Sequence, residues 1–236
     1  MIKRTYFFIL FIVLPLFIQA ESEFYGKIWV TAESTERKDL ELVSNKSRLG
    51  FEGKEDFRDG IEILYQLEYE IDPVDGIADD TKDRILKQRN SYLGLKVPYG
   101  SFFLGTYDTA FKRSQDDIDL FNDLTGDIKN ILHGENRMND TIGYESPISA
   151  RGFSVVLNAI KGSEDRFQED KAYSTSISFI HKSKNLYTSI AFDSEVEGHD
   201  STRFSLQIPF LKTQIGFIYQ DTKKLSTGIS ENGYVL

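Results

Sequence analysis

IEILYQLEYEI, residues 61–71, puts Ile61, Ile63, Tyr65, Leu67, Tyr69 and Ile71 on one side and Glu62, Gln66, Glu68 and Glu70 on the other. A period of two held over that length is a strand with one apolar and one wet face. Upstream, NKSRLGFEGKED (residues 45–56) repeats the pattern, with Leu49 and Phe51 opposed to Arg48, Gly50, Glu52 and Lys54. Phe57-Arg58-Asp59-Gly60 joins the two segments as a turn. Downstream, residues 89–97 and 101–107 flank Pro98-Tyr99-Gly100 as a hairpin. Further alternating segments lie at 23–35, 137–145, 153–159, 173–181, 186–193, 203–208 and 213–220, with Gly233-Tyr234-Val235-Leu236 opening one more. The count is eleven strands and the start of a twelfth, while residues 38–43 and 195–200 read as charged connections. The class is all-β.

One stretch breaks this rhythm: TAFKRSQDDIDLFNDLTGDIKNILHGE, residues 109–135. A connection of this length in a compact domain is usually functional or disordered. Ile118, Leu120 and Phe121 sit among its acids, which predicts a folded element with an acidic face that narrows the mouth of a barrel. Short connections (Arg58-Asp59, Pro98-Tyr99, 182–185, Pro209-Phe210) and long acidic ones would then lie on opposite rims. Aromatics cluster near strand ends, at Phe24, Tyr25, Phe57, Tyr99, Phe102, Phe103, Tyr107, Tyr144, Phe153, Tyr173, Tyr187, Phe210 and Tyr219. Such placement suits the two interfacial belts of a transmembrane antiparallel up-and-down β-barrel. A soluble secreted sandwich also alternates, but has no reason for the loop asymmetry.

Lys3 and Arg4 precede an apolar run over residues 6–18, so residues 1–20 read as a signal peptide cleaved after Ala20, with residues 21–236 as one barrel domain. No later run is long enough for a spanning helix, so any crossing of the bilayer must use strands. A net charge of −9 and no Cys exclude nucleic acid as a partner, thiol catalysis and Cys-bound metals. The histidines are His133, His181 and His199. A barrel enzyme of the phospholipase kind would need a base beside a nucleophile, and His181 with Ser183 is the nearest approach. An interfacial turn histidine explains His181 more simply, and no enzyme is predicted. In residues 72–87, Asp72, Asp75, Asp79, Asp80 and Asp83 lack ordered Ca²⁺-ligand spacing and read as solvated acids. No cofactor or metal is expected.

Several segments resemble the general bacterial porins, sixteen-stranded trimeric channels of Gram-negative outer membranes. They are FYGKIWV (residues 24–30), SRLGFEGKEDFRDGIEILYQLEYE (47–70), QRNSYLGLKVPYGSFFLGTYDTAF (88–111) and NRMNDTIGYESP (136–147). The later hairpins match in rhythm alone. The resemblance implies that loop 109–135 bends inward as a constriction, its acids facing a ladder of basic residues on the opposite wall. Carried over by position, the wall residues are Arg48, Arg89 and Arg137, and the loop carboxylates are Asp119 and Asp123. Lys27, Glu62, Gln66, Glu68, Asp116, Asp117 and Asp127 are further pore-lining candidates. Alternation counted back from Leu93 turns Arg89 outward unless the strand is bulged. Thr106 stands where some relatives carry another basic residue. The resemblance also implies a homotrimer in outer-membrane lipid, with loop 72–87 latching a neighbour, and passive passage of ions and small hydrophilic solutes. The many acids predict weak cation preference. Sixteen strands need roughly 300 residues, so the chain is expected to be a barrel truncated at about 11–12 strands. An open edge in lipid leaves backbone groups unsatisfied, and such a chain would not form a working pore alone.

Overall fold

Along the strands of the main sheet the apolar side chains are the exposed ones. Leu67, Leu93, Leu104, Ile142, Leu157, Ile177, Ile190 and Phe192 are all more than two-fifths exposed, whereas Glu68, Thr141, Asn158, Ser174, Ser189, Ser205 and Gln220 are buried. Water-soluble sheets bury the opposite set. Apolar-out and polar-in is the order a strand wall takes against lipid.

The computed structural model describes residues 21–236 except 37, 59, 77–84, 162–170 and 182–183. The leader expected over residues 1–20, together with Asp79, Asp80, Asp83 and Ser183, lies outside the described residues. The strands are β1 (Glu21–Lys27), β2 (Val30–Thr35), β3 (Lys38–Ser44), β4 (Arg48–Arg58), β5 (Ile61–Glu70), β6 (Lys87–Val97), β7 (Gly100–Asp108), β8 (Arg137–Glu145), β9 (Phe153–Lys161), β10 (Lys171–His181), β11 (Leu186–Val196), β12 (His199–Phe210), β13 (Thr213–Lys224) and β14 (Ser230–Val235). Twelve of them form one antiparallel sheet in the order β1-β4-β5 and onward through β14, each pairing with its sequence neighbour. β1 pairs with β4 alone and β14 with β13 alone among the described residues, so the sheet is not closed.

Three expectations are corrected. The segment 23–35 is not one strand but splits at Ile28-Trp29, and residues 38–43 are not a turn. They form β3, which pairs with β2 as a separate hairpin standing beyond the last β1–β4 pair, Lys27 opposite Arg48. Its base is tied by Asn45 N–H to Trp29 O (2.8 Å) and Trp29 N–H to Ser47 Oγ (2.9 Å). Second, residues 195–200 are not a loop. β11 and β12 meet through Glu197-Gly198, with φ of 50° and 73°. Both central residues therefore take the left-handed conformation of a tight hairpin turn. The long-and-short alternation of rims thus holds through β10 and fails at this hairpin. Third, Tyr25, Phe103, Tyr107 and Tyr187 do not belong to a lipid belt. The Tyr25 hydroxyl bonds Glu68 (2.9 Å), and Tyr187 is 7% exposed with its hydroxyl on Ser114 O (3.0 Å). Phe103 packs inside between Tyr92 (5.1 Å) and Tyr107 (4.9 Å). The outward aromatics keep the belt arrangement on the short-turn side, in the pairs Phe102–Tyr144 and Phe153–Phe179, 5.0 and 5.2 Å apart.

Candidate functional site

After β7 the chain turns onto the inner face of the sheet, because the wall there supplies what the loop backbone lacks. A one-turn helix, α1 (Ala110–Arg113), begins at Thr109, whose side chain caps Lys112 N–H. The first N–H groups of a helix have no partner within it. Here Ala110 N–H donates to Asn158 Oδ1 (2.6 Å) on β9 and Phe111 N–H to Ser174 Oγ (3.0 Å) on β10. Farther along, Ile118 and Ile128 bury against Ile218 of β13, with Leu132 and Val235 around them. A Cβ at Gly216 would stand 2.6 Å from Ile118, so a residue without a side chain is required under the loop. The return end is held by Gln220, which donates to His133 O (2.7 Å), and by Arg203, paired with Glu135 at 2.8 Å.

The loop's other side looks across to β4. Arg48 Nη1 meets Asp123 Oδ2 at 3.0 Å, and Thr125 donates to Glu33 of β2 (2.9 Å). Arg89 points inward. The β5–β6 register shifts between Leu67 and Tyr69, a bulge that turns the side chain to Glu68 (2.6 Å) and Glu70 (3.6 Å). Arg137 is also inward but engages Asp108 (3.0 Å) and Asn90 (2.8 Å) rather than a loop acid. Asp119 faces away from the arginines: its two oxygens accept Phe121 and Ile128 N–H at 2.9 and 3.1 Å, a cap within the loop. Of the carried-over set, only Arg48 and Asp123 meet directly across the gap.

The remaining candidates are distributed as follows. Glu68 also receives the Tyr25 hydroxyl (2.9 Å), and Gln66 links Tyr25 (2.8 Å) to Glu52 (3.2 Å). Glu62 pairs with Lys96 (2.8 Å) toward the short-turn rim. Lys27 lies 3.6 Å over the Trp29 ring. Asp117 is exposed. Asp116, exposed like its neighbour, lines the lumen with φ of 51°, and partial desolvation and the Asp117 charge push its carboxyl upward. Thr106 turns to Asn139 (3.0 Å) and Gln88 (3.1 Å).

Asp127 organises the loop tip. It accepts Asp123 N–H (2.9 Å) and Lys129 N–H (2.8 Å) and pairs with Lys129 Nζ at 2.9 Å. Burial pushes its carboxyl up, but Lys129 and the two backbone donors together hold it below the ordinary 3.8. A carboxylate with a depressed pKa contributes stability above its ordinary range and loses it as pH falls through the depressed value. The tip is therefore expected to stay ordered at neutral pH and to loosen below about pH 4, whereas Asp127→Asn loosens it already at neutrality. Hydrogen exchange of the loop amides against pH measures both.

Between loop and wall lies a cavity of about 430 Å³. Lys46, Arg48, Lys87, Arg89, Lys112, Arg113, Lys129 and Arg137 line it against Glu70, Asp108, Asp116, Asp123, Asp127 and Glu135. Eight basic and six acidic groups leave no acid excess in this lining, contrary to what the loop sequence suggested. Lys46, Lys87, Lys112, Arg113 and Lys129 were not singled out from the sequence. Lys87 sits at the first position of β6 and Lys46 just before β4, where strand alternation does not reach.

The Gram-negative porin family model matches residues 15–236. The major outer membrane protein P.IB of Neisseria sicca is 24% identical over 169 residues, 65% of this chain and 45% of that relative. The chain thus spans less than half the length of that curated relative. Among solved structures, the anion-selective porin from Comamonas acidovorans is 17% identical, with a TM-score of 0.64 over 91% of this chain and 71% of that one. Salmonella typhi OmpF in complex with daunomycin is 12% identical, also at TM-score 0.64, over 86% of this chain and 66% of that one.

Proposed function

The chain belongs to the Gram-negative porin family, and we propose that it serves an outer-membrane diffusion channel for ions and small hydrophilic solutes. One observation carries this reading: a wall apolar outside and polar inside backs a charged cavity crossed by a loop that ties Arg48 to Asp123. Loop 109–135 is the constriction, with Arg48, Arg89 and Arg137 on the facing wall and Asp123 as the loop carboxylate that meets it. A passage lined by charge of both signs sorts solutes by sign and size rather than by tight binding. The lumen side chains neutralise one another in pairs, and the cavity holds two more cations than anions. Selectivity is therefore weak and leans toward anions, not toward the cations that the loop acids alone suggest. The channel works as a homotrimer in outer-membrane lipid after removal of the leader.

It is not an enzyme. His181 lies edge-on to Phe179 at 6.5 Å, in the aromatic rim of the short-turn side. The channel reading is tested on the complete, closed barrel by reversal potential in planar bilayers under a salt gradient. A small anion-directed potential is the expected result, a strongly cation-directed one would reverse the selectivity assignment, and absence of conductance would sink the channel reading.

A further inference from the structure

We propose that Arg203 is the positioning residue that clasps both ends of loop 109–135 to the wall and thereby fixes the width of the passage. The clasp can be read from the loop alone; its consequence for the passage rests on the channel reading.

Arg203 lies in β12 and is wholly buried. Its Nη1 donates to Phe111 O (3.3 Å) at the start of the loop, and its Nη2 to His133 O (3.3 Å) at the end. Glu135 neutralises the charge at 2.8 Å, and Nε donates to Gln220 Oε1 (2.9 Å). The guanidinium carbon stands 4.4 Å from the centre of the Phe111 ring. One planar cation therefore meets two loop carbonyls, a carboxylate, an amide and an aromatic face. A lysine, with its charge at one point, has no such fork.

Two independent features place the two ends of the loop together at this spot. Gly134 has φ of 98°, and a Cβ there would lie 2.4 Å from Phe111, so the returning backbone passes directly over the ring at the loop's start. Gln220 accepts from Arg203 and donates to His133 O (2.7 Å), so the wall grips that carbonyl twice. The remaining anchors act on separate parts of the loop: Asn158 and Ser174 hold the helix start, and the Ile118–Ile128–Ile218 contact holds the middle. Without Arg203 the return end is held by Gln220 alone (2.7 Å to His133 O), and the segment between Ile128 and His133, which carries Lys129, opens more readily.

The test uses the whole chain refolded in detergent micelles and follows tryptic cleavage after Lys129, an exposed loop residue, with cleavage after Lys212 in a short turn as the internal control. Arg203→Met is expected to speed loop cleavage about tenfold or more, because both carbonyl contacts are lost, with Lys212 unaffected and heat-modifiable migration retained. Arg203→Lys should fall between. The double variant Arg203→Met with Glu135→Gln removes the uncompensated carboxylate; loop cleavage that stays fast there reports the lost grip on the carbonyls. Loop cleavage at the native rate in Arg203→Met, or restored to it in the double variant, overturns the clasp. Should Arg203→Met not fold, Gln220→Ala carries the test, since it keeps the cation and removes one grip on His133. Faster loop cleavage supports the clasp and an unchanged rate overturns it. Conductance is scored separately on the closed barrel, so a non-conducting barrel with a protected loop counts against the channel reading and leaves the clasp standing.

Discussion

Ile190→Arg is expected to prevent most of the chain from reaching a heat-modifiable folded state in lipid vesicles, at a cost of about 2–4 kcal/mol for a cation on the lipid face near the bilayer midplane. Ile190 sits in the middle of β11, 47% exposed, opposite Ile177 on β10 and Phe204 on β12. Among the described residues nothing covers these three side chains, so their partner is the surrounding medium. In a water-soluble sheet the same change at an exposed site would be neutral within about 0.5 kcal/mol and would improve solubility. The sign of the effect therefore separates the two architectures. Glu52→Arg is the matched control: it places the same cation on the exposed inner face of β4, beside water and Gln66. It should fold as the native chain does. The measurement is the folded fraction on unheated gels after refolding into vesicles. Equal folding of the two variants would reject a lipid-facing wall.

The strand order was legible because each wall strand has one face that cannot be polar and one that need not be apolar. Leu49 and Phe51 against Gly50, and Leu67 and Tyr69 against Glu68 and Glu70, alternate in the structure as they do in the sequence. Alternation fails where the backbone departs from a period of two. At Arg89 a bulge places Arg89 and Asn90 against the single residue Glu68, and polar residues on both sides leave no apolar marker of the slip. The Glu197-Gly198 turn was hidden because its first position, at φ 50°, holds Glu rather than the Asn, Asp or Gly that usually announces such a turn. The break between β1 and β2 and the pairing of β2 with β3 were hidden because these strands are short, with Leu40 and Leu42 exposed on a hairpin apart from the main sheet.

The charged site was legible by residue type and less so by partner. Arg48 and Arg137 point inward by parity, yet Arg137 turns to Asp108 on the neighbouring strand β7. Parity gives the face of a side chain, not which of several nearby carboxylates it reaches. Asp119 and Asp123 stand four positions apart in DLFND, and the difference between them is a matter of loop backbone: Asp119 caps N–H groups of its own loop, while Asp123, at φ 68°, is turned out toward β4. Arg203, which meets carbonyls at both ends of the loop, offered no signal. It lies in STRFSLQIP among small polar residues, as any inward arginine would.

Arg48→Glu should produce the largest change in ion preference of any single substitution at the constriction. The guanidinium stands 3.0 Å from Asp123 and 3.6 Å from Glu68, and of Arg48, Arg89 and Arg137 it alone touches a loop acid. Reversal changes the local charge by two units and sets a third carboxylate beside these two. At roughly 8 Å from a passing ion and an effective dielectric constant of about 40, each unit is worth about 1 kcal/mol. Screening at 0.1 M salt, where the Debye length is about 10 Å, reduces that by about half. The cation-to-anion permeability ratio should therefore rise about five- to thirtyfold. Arg48→Met, a change of one unit, should give about the square root of that factor. Both effects should shrink steeply toward 1 M salt, since a field acting across water is screened while a change of shape is not. The loop has a second consequence to report: without Arg48 it keeps its hold on β9–β13 through Asn158, Ser174, Gln220 and Arg203 but loses its ion pair with the far wall. Conductance should therefore rise as selectivity shifts. Reversal potential and single-channel conductance measured together across salt concentrations read both quantities. A ratio unchanged at low salt would remove Arg48 and Asp123 from the ion path.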